Sequence, residues 1–273
     1  MPNKLSGLAG KHLVLATAMS VALIAGVPAA AAASPVTGKL LKLAHLGFNT
    51  NTSSNWFGYD ESALSGGKLF SSISGNWTVP TATQHESGQA EDSADWIGIG
   101  GGCVDSGCDA SDETLIQTGT EQDVPATGAS SYDAWYELVP APEIEISSMT
   151  VDPGDQMHAA ISSTVDGVWS ITISDLTRNE SYSTTVPYSS TEDTAEWIEE
   201  TPLEIGADAG FAALPNLTDP AFTDAEVNGA AAGITSSDEI QLVDSSGDVI
   251  GTPSAPNSSG TGFSECTWTD VCS

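Results

Sequence analysis

Basic residues are nearly missing from this 273-residue chain: six Lys and Arg stand against 37 Asp and Glu, a formal net charge of −31 at pH 7. After Lys4 and Lys11, only Lys39, Lys42, Lys68 and Arg178 remain. A surface so short of cations repels nucleic acid and anionic lipid, so neither is expected as a partner. Histidine is scarce too, and the two in the body of the chain, His85 and His158, stand in no nucleophile motif. That argues against Ser–His–Asp chemistry. The four cysteines have no histidine beside either pair, so they do not read as metal ligands. No metal and no organic cofactor is implied. After residue 33 no stretch is apolar enough to cross a bilayer, and no long helical periodicity occurs.

What is present begins with a leader. Lys4 and Lys11 form a basic start, Leu13 to Val27 is apolar, and Ala29 to Ala33 offers small-residue cleavage sites. Residues 1–33 therefore read as a secretory signal that is removed, which places the protein outside the cell and free of the membrane afterwards. The apolar stretch is short for a span of ~20 residues. Secretion favours disulfides. Four cysteines allow three connectivities, and the two local pairs, Cys103–Cys108 and Cys266–Cys272, are preferred.

Residues 34–51 read as a short propeptide or flexible lead-in. Lys39-Leu40-Leu41-Lys42-Leu43-Ala44-His45 has the spacing of a small amphipathic helix. A basic leader of this kind would dock on the acidic body at neutral pH and leave as carboxyls protonate; its rival is an untethered tail. Residues 52–273 are expected to form one domain. The acidity fits work in acid, because carboxyls with ordinary pKa values of roughly 4 lose charge there and few cations remain to repel one another. A salt-adapted surface is the competing source of the same composition.

From Trp56 onward the pattern is strand and turn. Ile73, Gly75, Trp77 and Val79 alternate with more polar neighbours, as do Trp169, Ile171 and Ile173. Ile240 and Leu242 precede the turn Ser245-Ser246-Gly247-Asp248 and then Val249-Ile250, a hairpin signature. The class this predicts is an all-β sandwich.

Two segments carry chemistry. Gln117 lies in Thr114-Leu115-Ile116-Gln117-Thr118-Gly119-Thr120, and Glu196 in Ala195-Glu196-Trp197-Ile198-Glu199-Glu200. A polar side chain in such a strand needs a partner or a cleft, since burial unpaired costs roughly 2–7 kcal/mol. Between them, Asp133, Trp135 and Glu137 share one strand face by period-two alternation. A carboxyl can take and return a proton, and a primary amide can donate to an oxyanion without titrating. In acid, where histidine stays protonated, that combination suits hydrolysis.

With Ser54-Asn55-Trp56-Phe57-Gly58-Tyr59, Gly75-Asn76-Trp77-Thr78-Val79-Pro80, Trp96-Ile97-Gly98-Ile99-Gly100 and Pro153-Gly154-Asp155, these segments stand in an order that resembles the glutamic peptidases, or eqolisins, over about residues 53 to 228. The resemblance implies two bent antiparallel sheets with a concave substrate groove. It implies a secreted, pepstatin-insensitive acid endopeptidase acting on unfolded polypeptides, with monomer as the default state. Glu196 would be the general acid/base, and Gln117 would stabilise the tetrahedral intermediate. Trp56, Trp96 and Trp135 would line the groove or pack the core. Asp133 and Glu137 would support the dyad. By parity Glu200 shares the face of Glu196 and Glu199 points away; both read as surface or supporting acids. One departure is Gly100, where the family often has Asp; Asp95, Glu121 or Asp133 would have to replace it. Two other readings remain open here: a glycan-active or glycan-binding sandwich using Glu196 with Glu137 or Asp133, and an inactive interaction domain.

Overall fold

The computed structural model describes residues 39–62, 67–104, 107–108, 112–205, 209–218 and 220–273. The expected signal peptide and residues 34–38 lie outside them. Among the described residues there is no helix, and no helix is long and apolar enough to cross a membrane.

One sheet runs, in spatial order, Ser131–Val139, Leu115–Val124, Glu91–Gly100, Thr194–Glu200 and Trp56–Ser62, every neighbouring pair antiparallel. The other runs Glu180–Pro187, Val168–Asp175, Gln156–Val165, Ser72–Thr78 and Ala221–Val227, again antiparallel. Strands Glu239–Val243, Val249–Pro253 and Phe263–Thr267 carry the hydrogen bonding from Trp56–Ser62 round to Ala221–Val227, joining the sheets along one side.

Alternation decides which side chains meet between the sheets. Ile73 and Trp77 alternate with half-buried Ser and Asn, and Trp169, Ile171 and Ile173 with Ser and Thr. They meet Tyr59, Ile97, Ile116 and Trp197 from the first sheet in the main core. The second sheet thus keeps one polar face, as a sheet with one wet side does. The first sheet differs: Thr194–Glu200 is buried along its whole length, and Glu91–Gly100 and Leu115–Val124 nearly so. Its far face carries a second apolar cluster, including Trp56, Trp96, Trp135 and Ile198.

The lead-in is no helix. Lys39–Leu41 is a strand paired antiparallel with Leu203–Ile205, and Gly47–Asn49 pairs with Thr52–Ser53. The Leu-Leu-Lys-Leu spacing that suits a helix is overridden by a sheet edge offering partners, a common outcome for short segments with weak intrinsic preference. Within the described residues, 39–51 pack with the rest of the chain as one unit and are not an untethered tail.

Candidate active site

Register places one row of side chains across five adjacent strands of the first sheet. In order they are Asp60, Glu196, Gly98, Gln117 and Glu137. Cross-strand partners project to the same face, so these residues look out together on the side away from the main core. Strands lie ~4.8 Å apart, so Glu196 and Gln117 are separated by about 10 Å of backbone with Gly98 between them. A Cβ on Gly98 would meet Trp96 Cζ3 at 2.8 Å, Leu115 Cδ1 at 2.9 Å and Gln117 Cβ at 3.3 Å. The missing side chain lets Trp96 and Leu115 close over the strand between acid and amide.

The next rows along the same face hold Ile198, Trp96, Gly119 and Trp135, then Trp56, Glu200, Ala94, Glu121 and Asp133. The three tryptophans are therefore groove-face residues, outside the core between the sheets. Trp56 packs edge-on against Trp96 with centroids 4.9 Å apart.

Gln117 Nε2 donates to Glu137 Oε2 at 2.9 Å, which fixes the amide plane; among the described residues Gln117 Oε1 has no partner. Burial pushes the Glu137 carboxyl up to about 8 and Glu143 adds repulsion, opposed by nearby Lys42, by the Gln117 amide and by the Lys42 backbone N–H. Glu196 is fully buried, and that burial first, with Asp60 and Asp112 adding repulsion, holds its pKa well above the ordinary carboxyl value; the nearby Thr194 side chain opposes this. Asp60 is pushed up to about 7 by burial, partly offset by the Cys103 backbone N–H. The Cys103–Cys108 disulfide thus closes a loop at the acid end of the row, and Cys266–Cys272 staples the C-terminal tail.

Glu199 and Glu200 are not surface acids: both are fully buried. Glu200 accepts from Trp96 Nε1 at 3.0 Å and from the Leu43 backbone N–H at 3.1 Å. Glu199 faces the other way and clusters with Asp95 and Glu265. That removes Asp95 as a substitute for the acid missing at Gly100. Glu121 and Asp133 sit two rows from the dyad and do not reach it either. The nearest carboxylate is Asp112, whose Oδ2 lies 3.0 Å from where a Cβ on Gly100 would be. Asp60 and Asp112 were missed by sequence reasoning because neither lies in a segment it singled out; strand pairing brings in Asp60, and a bond from the Asp112 N–H to the Gly102 carbonyl holds the other.

The lead-in lies over this face. Lys42 is fully buried; its Nζ bonds Glu121 and Glu143 and stands 4.3 Å from the centroid of the Trp135 ring. Asn55 Nδ2 donates to the carbonyls of Leu43 and Ala44. His45 meets Trp56 and touches both sulfurs of the Cys103–Cys108 bridge. Burial pulls the His45 imidazole down to about 4, so it sits there uncharged over most of the pH range.

An acid and an amide thus share one row of an antiparallel β-sandwich, two strands apart with a glycine between them. The chain belongs to the Peptidase A4 family, whose profile matches residues 54–264. It is 28% identical over 211 residues to aspergillopepsin-2 of Aspergillus niger, covering 70% of each chain. It is 30% identical over 130 residues to scytalidopepsin B of Scytalidium lignicola, covering 48% of this chain and 43% of the relative. Its fold is similar to scytalido-glutamic peptidase solved with a transition state analog inhibitor (TM-score 0.63, 25% identity, 78% of this chain and 98% of that one). It is similar also to aspergilloglutamic peptidase from Aspergillus niger (TM-score 0.54, 25% identity, 65% and 99%).

Proposed function

We propose that the protein is a secreted endopeptidase that hydrolyses unfolded polypeptides in acid, with Glu196 and Gln117 as its catalytic pair. The observation that carries the reading is the single row Glu196–Gly98–Gln117–Glu137, with family membership favouring a peptide over a sugar as substrate. A peptide carbonyl seated over Gly98 meets an acid on one side and an amide donor on the other. Glu196 takes a proton from water as the water oxygen attacks the carbonyl carbon. The Gln117 N–H stabilises the oxyanion, held in place by Glu137. Glu196 then gives its proton to the departing nitrogen as the C–N bond breaks. No step needs a metal.

In the arrangement described, Glu196 is closed off from water, which disfavours its ionised form. Opening the groove restores hydration and brings the carboxyl back toward its ordinary range, where it can act as a base in acid. The lead-in must therefore leave. Lys42 is bound by carboxylates, and protonating them loosens the hold.

The test is a pH profile from 2 to 8 on denatured protein, comparing wild type with Glu196→Gln, each with and without pepstatin. Acid-limited cleavage that is insensitive to pepstatin and lost in the variant supports the reading. No cleavage at any pH by trimmed, folded wild type overturns it. Sequencing the N-terminus of protein recovered from the medium tests secretion and locates the trimming point.

A further inference from the structure

We infer that the acidic pocket holding Lys42 is a specificity subsite, one that selects a lysine or arginine side chain of the substrate beside the bond to be cut. The inference rests on the peptidase reading above and names a substrate class within it. Its support is that the pocket is built around a cation and is occupied by one. Glu121 and Glu143 bond the Lys42 ammonium, and the face of Trp135 covers it. Asp123 and Asp133 lie close enough for the same charge to pull their carboxyls down against burial. An ammonium taken fully out of water is tolerated only with partners of this kind. Removed from the pocket, the same lysine would leave two carboxylates and an aromatic face directed at one point, a combination that favours a cation over any neutral side chain.

The location ties the pocket to the reaction. Lys42 lies close enough to Glu137, the residue that holds the Gln117 amide, for its charge to pull that carboxyl down against burial. The residue after Lys42 donates its N–H to Glu200, and the Leu43 and Ala44 carbonyls accept from Asn55. Main-chain contacts of this sort are available to a peptide of any sequence, so the lead-in shows where an extended chain can be held. The side-chain pocket is what discriminates. Trp135 stands on the same face in the row next to the dyad, and Glu121 one row further on. Arginine would fit as well as lysine, since its planar fork matches two carboxylates.

The experiment uses the full-length protein after incubation in acid. Peptides of one sequence carry lysine, norleucine or glutamate in turn at each of six positions around the scissile bond. Norleucine keeps the lysine stem and removes the charge. Assays run near about pH 5, above the ordinary carboxyl range. At one fixed position lysine is expected to exceed norleucine in kcat/KM by at least about tenfold. Glu143→Gln, which keeps the shape of the side chain, should bring that ratio down to about threefold or less. Equal rates for lysine and norleucine at every position, with cleavage intact, would overturn the subsite and leave the peptidase reading standing. Cleavage of none of the peptides would overturn the peptidase reading itself.

Discussion

Strand Thr194–Glu200 carries two buried acids three residues apart, and they live in different worlds. Glu196 faces the groove, beside Asp60 and across Gly98 from an amide. Glu199 faces inward, where its oxygens lie near those of Asp95 and Glu265, with Gln122 Nε2 donating to Asp95 Oδ2 at 3.2 Å and to Glu199 Oε1 at 3.3 Å. Burial is the leading cause that raises both carboxyls well above their ordinary range. A shifted acid is therefore no mark of a working site by itself. Position is what separates them. Glu196 lies on the face that the segment around Lys42 contacts; the inner cluster lies between the sheets with Glu265 on a neighbouring strand.

The largest effect that sharpens this contrast is on turnover. Glu196→Gln should lower kcat by about 10⁴-fold, whereas Glu199→Gln should leave acid activity within about threefold; steady-state assays on a denatured protein at one acid pH compare them. Gln117→Ala comes next, with a loss of about 10²–10³ in kcat and little change in the thermal midpoint by calorimetry.

A third prediction concerns stability, where the inner cluster should dominate. Asp95 is raised by burial to about 6, Asp60 and Asp133 likewise to about 7, and burial also raises Glu199 and Glu265 well above their ordinary range. Between the unfolded value near about 4 and these folded values, the native state binds more protons than the unfolded one, so stability falls as pH rises. The thermal midpoint should be highest below about pH 4 and decline steadily toward pH 8. Glu199→Gln should flatten that decline, raising the midpoint at pH 7 by roughly 5 °C while changing it little at pH 3. A midpoint independent of pH would sink the argument. The smallest effect is on the dyad's own titration. Asp60→Asn removes a like charge opposite Glu196, so the acid limb of the pH–rate profile should move acidward by about one unit or less.

Much of this site was legible in the chain because it depends on local pattern. Period-two parity put Asp133, Trp135 and Glu137 on one face and sent Glu199 away from Glu200. The fold class followed from alternation at Trp169 to Ile173 and from the turn before Val249. What was illegible depends on register between distant strands. Nothing near Asp60 announces that it will stand opposite Glu196, 136 residues later by the numbering. Burial of Glu199 and Glu200 could not be read from two adjacent acids, which ordinarily mark a wet surface. The lead-in misled for a similar reason: its helical spacing is local, and the edge at Leu203–Ile205 that captures it is not.

Strand Glu180–Pro187 pairs with Val168–Asp175 alone among the described strands, so its other side is an open edge. In a protein whose surface charge is nearly all carboxylate, low pH takes away the repulsion that holds copies apart, and an open edge is where one copy would add to the next. The outward residues there are Ser181, Ser183, Thr185 and Pro187. Small hydroxyls offer a second strand no apolar stripe, and the proline interrupts the ladder at one end. Colloidal survival in acid thus falls to side chains that carry no charge to lose.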